Sequence, residues 1–110
     1  MRLCPGCGRP LADAATIHTL MRHSARWAIA AEQDREPLIR ALHANYAMGY
    51  ILALREVASD ADVLATTGYD PYVLFVELLH IQDEATRQVA RACPQLTPQP
   101  MWLAQVAGEG

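Results

Sequence analysis

The chain has 110 residues, a net charge of −3 and 52% hydrophobic residues. That is enough for one domain with a modest core. It is too apolar for a disordered chain and too acidic overall for simple electrostatic binding to DNA. All nine basic residues are Arg, and they are spread unevenly: residues 1–55 carry seven Arg against four acids, residues 56–110 two Arg against eight. A basic first half fits nucleic acid, an acidic partner, or the acidic half of a second copy.

Residues 1–10 contain Cys4-Pro5-Gly6-Cys7-Gly8-Arg9-Pro10, two thiols three apart with turn residues between and after them. Two thiolates at this spacing hold one edge of a zinc tetrahedron. Three cysteines are an odd number, and two of them form this close pair, so the pattern is not that of a secreted disulfide framework. Met1-Arg2-Leu3 leads straight into the cysteine pair, so no secretory leader is expected, and the reading is a cytoplasmic protein.

From Leu11 to about Asp34 the pattern is helical, with Ile17, Leu20, Met21, Ser24, Ala28 and Ala31 on one face. A polar break at Glu32–Pro37 follows, and Pro37 suits the first turn of a second helix running to about Ala58. The middle of that helix is apolar on nearly all sides, so it is expected at the centre of the fold or in an oligomer interface. Its longest apolar run, Ala44 to Leu54, is 11 residues with Asn45 inside it, too short to span a bilayer. Ala41, Asn45, Gly49 and Ala53 fall four apart, a small-residue stripe that lets another helix approach.

Ser59 reads as the N-cap of a short helix, Asp60 to Thr66, ended by Gly68. Asp70-Pro71 then opens the last long helix, which runs to Ala92 before Cys93-Pro94. Leu74, Leu78, Ile81, Ala85, Val89 and Ala92 form its core stripe; Glu77, His80, Glu84, Arg87 and Arg91 lie opposite. Pro94, Pro98 and Pro100 make the tail extended, and Met101-Trp102-Leu103 is an apolar segment that must dock on something. The expected fold is all-α: a small antiparallel bundle of three long helices and one short, over residues 11–93. The knuckle precedes it, and the tail of residues 94–110 follows.

Cys4 and Cys7 are the leading metal ligands. The turn resembles those of zinc ribbons and the zinc hook of the double-strand-break repair ATPase, in which a Cys-Pro-x-Cys-Gly-Arg turn from each of two chains shares one zinc. That resemblance implies zinc shared between copies. His18, Asp60 and Asp62 are further ligand candidates. Cys93 falls at the far end of the bundle, because a helix of about 24 residues is about 36 Å long.

Trp27, His43, Asn45, Tyr46 and Tyr50 gather near the start of the most apolar helix, as a ligand pocket or, more in keeping with such residues, a buried polar network. Glu77-x-x-His80 has the spacing of di-iron carboxylate bundles, with Glu32 available as a bridging carboxylate. It resembles the encapsulated ferritins, which assemble an iron site across a dimer. The stripe also continues as ion-paired surface. Arg22, His23 and Arg26 form a small basic patch, which carries a nucleic-acid reading.

The function expected is that of a small helical interaction protein, self-associating or docked on a larger assembly, with zinc at Cys4 and Cys7. The alternatives are a metal-dependent helical enzyme using Glu77 and His80, and a nucleic-acid accessory protein.

Overall fold

The computed structural model of the protein describes Leu3, residues 12–95, Gln105, Val106 and Gly108. It is all-helical over this range, with α1 (Ala14–Gln33), α2 (Pro37–Val57), α3 (Asp60–Thr67) and α4 (Pro71–Ala92). The knuckle at Cys4 and Cys7 and the Met101–Leu103 segment lie outside the described residues.

Local chemistry sets each boundary. Asp13 caps α1 by accepting the Thr16 N–H at 2.8 Å. Glu36 does the same for α2 through the Ile39 N–H, with Pro37 at the first helical position. Ser59 caps α3, whose first turn carries Asp60 and Asp62, and Gly68 ends it with a left-handed φ of 82°. Asp70 accepts the Tyr72 N–H at 2.9 Å and opens α4 at Pro71.

The connections are three residues or fewer, so sequential long helices run antiparallel. The contacts confirm the register. Ser24 meets Ala47, His23 stacks on Tyr50, and Trp27 lies against His43, one number rising as the other falls. Across the second interface Arg55 lies over Phe75, Asn45 bonds Gln82, and Arg40 bonds Gln88.

α2 packs against both α1 and α4, which meet each other only sparingly. The core therefore lies along two sides of α2: Ala44, Ala47, Ile51 and Leu54 are fully buried, against Ile17 and Ala31 of α1 and Leu78 of α4. Val63 of α3 closes it at one end. Ser24 is the buried polar side chain, and its hydroxyl donates to the Ala47 carbonyl at 2.8 Å. Its place in the apolar stripe of α1 is thereby satisfied, and small residues at that level let the two helices approach closely.

The arrangement is open. The radius of gyration is 16.3 Å, against about 13 Å for a compact domain of 100 residues. No helix among the described residues is long and apolar enough to cross a membrane.

Ile51→Ala should cost about 2–5 kcal/mol by opening a cavity between three helices, and Ser24→Ala about 1 kcal/mol, both read from urea unfolding. At Asp13 the hydrogen bonds from Thr16 hold the carboxyl below the usual carboxylate range. A carboxyl with a lowered folded-state pKa stabilises above its unfolded pKa and loses that contribution as the pH falls through the folded value. Asp13→Asn, which can still cap, should therefore flatten the fall in stability on acidification.

Candidate functional site

The aromatic and polar residues expected near the start of α2 do come together, as a wall between α1 and α2. The Trp27 ring lies 4.9 Å from His43 and 5.0 Å from Tyr46, edge-on to the latter, while His23 stacks on Tyr50 at 5.1 Å. His43 Nδ1 is paired with the Asp34 carboxylate at the end of α1. Asn45 accepts from Gln82 Nε2 at 2.7 Å. The group thus fastens α1 to α2 and α2 to α4, while Asn45 and Tyr46 stay exposed, so it is not the buried network expected of them.

Beside this wall the outer surface of α2 departs from the expectation of burial on all sides. Tyr46 is 45% exposed, Leu52 47% and Leu42 42%. Leu38, Ile39 and Val57 are exposed as well, and of all the exposed positions on α2 only Glu56 is charged. A solvated helix face is ordinarily polar. The exposed sides of the neighbours carry more charge, with Arg22, Arg26 and Glu32 on α1 and Asp83, Glu84, Arg87 and Arg91 on α4, beside exposed apolar Ile29, Tyr72, Val73 and Leu79. The physical reason for the difference is the openness of the fold: two neighbours cover only the sides of α2 that face α1 and α4.

A groove of about 480 Å³ runs along this face, lined by Leu20, Trp27, Asn45, Tyr46, Gly49, Tyr50 and Ala53. Gly49 sits in it exposed, and a Cβ built there meets nothing within 4 Å. Among the described residues the small-residue stripe of α2 therefore borders open space rather than a neighbouring helix at Gly49. Sequence reasoning flagged Gly49 and Ala53 as a packing stripe but missed Leu20 as part of the groove wall, since Leu20 shares the apolar spacing of the α1 core.

The metal candidates fare differently. Glu77 and His80 are both exposed on α4. Glu77 lines a second cleft beside His18 and Arg22, whereas Glu32 lies ten residues further along α1, about 15 Å. The structure does not bring Glu32, Glu77 and His80 together, and no group of three or more His, Cys, Asp or Glu placed to hold a metal exists among the described residues. Both Asp60 oxygens accept from Arg55 at 3.0 Å, an engagement that competes with metal ligation. Cys93 caps α4. Cys4 and Cys7 lie outside the described residues; at the start of the described body the Ala12 N–H donates to the Val57 carbonyl at 3.0 Å, beside the C-terminal end of α2.

The second cleft, about 720 Å³, lies between α1 and α4 and is lined by apolar Met21, Val73 and Leu74 and by His18, Arg22 and Glu77. The basic patch expected on α1 is split by it. Arg22 faces this cleft, while His23 is stacked on Tyr50 on the α2 side.

No protein-family model, curated protein or solved structure matches the chain.

Because an added Cβ at Gly49 has free space, Gly49→Ala should stabilise the isolated chain by about 1 kcal/mol, the helix-propensity difference alone. Thermal unfolding at low protein concentration reads this. A destabilised variant would mean that a further intrachain contact sits on Gly49.

Proposed function

We propose that this chain is a small, non-catalytic helical assembly protein that works by associating with other protein, first of all with itself, through the outer face of α2. The carrying observation is the exposed surface of α2, apolar along its length with Glu56 as its one charge. Apolar patches that large on a protein surface mark contact sites. The packing of α1, α2 and α4 supplies a rigid platform, and Trp27 and Tyr46 supply the kind of aromatic side chains that anchor interfaces.

Zinc at Cys4 and Cys7 belongs to the same reading as a structural element. Two thiolates make half a tetrahedral site, which a second pair of ligands has to complete.

Light scattering across a concentration series tests the association. Wild type should exceed monomer mass, and Leu42→Glu with Leu52→Glu should return it to monomer with helical circular dichroism unchanged; a wild type that stays monomeric would reject the reading. Elemental analysis tests the metal. A shared site gives half a zinc per chain, and Cys4→Ser with Cys7→Ser should abolish it.

A further inference from the structure

We propose that the cleft between α1 and α4 binds a small zwitterion with an apolar body, the chemistry of a free aromatic or aliphatic amino acid. This goes beyond association through α2 and does not depend on it. The shape of the cleft, the charges on its two walls and the loop at its mouth carry it.

The cleft has a volume of about 720 Å³, within the range of about 300–1,000 Å³ that small-molecule sites occupy. It exists because α1 and α4 both pack on α2 and touch each other little. Half-buried Met21 of α1 and Leu74 of α4 line it, with Val73 beside them. An apolar concavity ringed by a few charged groups is the usual make-up of a ligand site.

The charges divide by wall. His18 and Arg22 stand one turn apart on α1, and Glu77 stands one turn after Val73 on α4. Neither Arg22 nor Glu77 has an ion pair or hydrogen bond with any described residue, and they do not pair with each other. The other polar groups of the cleft are engaged. Asp70 caps α4 by accepting the Tyr72 N–H, and the Thr67 hydroxyl donates to the Val63 carbonyl at 2.8 Å. What is left for a ligand is a guanidinium and an imidazole on one wall and a carboxylate on the other. A simple anion would be repelled by Glu77, and a simple cation by Arg22. A molecule with both charges meets each with its opposite: its carboxylate takes the Arg22 fork, and its ammonium takes Glu77.

The mouth supplies an aromatic surface. Tyr69 sits in the three-residue link between α3 and α4 and is 71% exposed. Its backbone is held, because its N–H donates to the Thr67 hydroxyl oxygen at 3.1 Å. Its ring meets no other ring among the described residues. An uncovered ring on a fixed backbone, at the rim of an apolar cleft, gives the body of a ligand a flat face to pack on.

The test is a titration of the full chain followed by NMR. The probes are L-phenylalanine and L-leucine, with 3-phenylpropionate, which lacks the ammonium, and L-phenylalaninamide, which lacks the carboxylate. Both amino acids should shift the methyl signals of Met21, Val73 and Leu74. L-Phenylalanine should bind roughly fivefold more tightly than either truncated probe, the scale of one partly exposed charge pair. Arg22→Gln should erase its advantage over the amide, and Glu77→Gln its advantage over the propionate. Arg26→Gln, exposed on α1 outside the cleft, should change neither. If neither amino acid shifts those methyls, or the shifts fall on the α2 groove instead, the site is overturned. If a truncated probe binds as tightly as L-phenylalanine, or both cleft variants bind like wild type, the charge assignment is overturned with it. Arg22 and Glu77 are exposed, and helical circular dichroism checks that the variants fold; should one fail, the probe series on wild type decides alone.

Discussion

The structure depends on one helix serving two neighbours. α1 and α4 have little contact with each other, so nearly all of their burial is against α2. Ala44 and Ala47 are fully buried in the core, and the short side chains allow close approach: the Ser24 hydroxyl reaches the Ala47 carbonyl at 2.8 Å. Close approach strengthens dispersion contacts, but it also keeps the core thin. Ile17, Ile51, Leu54 and Leu78 are the large side chains that fill it. A loss at α2 is therefore felt in both interfaces at once. The remaining ties, Arg40 to Gln88, Arg55 to Asp60 and His43 to Asp34, are partly exposed. Pairs of that kind add orientation more than stability.

The same constraint leaves a surplus. A helix between two neighbours in an open arrangement keeps one long side uncovered, and on α2 that side is apolar. Domains close their cores by adding a layer, and this chain supplies its remaining short helix, α3, at the end of the bundle rather than over α2. Val63 plugs the end of the core, and Arg55 ties that end to α4 by lying 5.1 Å from the Phe75 ring centroid. Among the described residues nothing adds a layer over that side of α2.

Most of the fold was legible because its signals are local. Pro37, Ser59, Gly68 and Asp70-Pro71 mark boundaries that the helices respect within a residue or so, and the apolar stripe of α1 survives in the buried set Ile17, Ser24, Ala28 and Ala31. The start of α1 was read too early because Asp13, its cap, follows Leu11 and Ala12, which continue the apolar pattern ahead of the helix. The surface of α2 was harder. Periodicity says that Leu42, Gly49 and Leu52 are apolar; it does not say how many neighbours exist to cover them, which is a property of how α1 and α4 splay. Gly49 shows the same limit, since its spacing implied a close partner and none of the described residues supplies one. Glu77 and His80 carried a motif whose spacing is also that of an ordinary solvated face, and within one chain Glu32 does not join them.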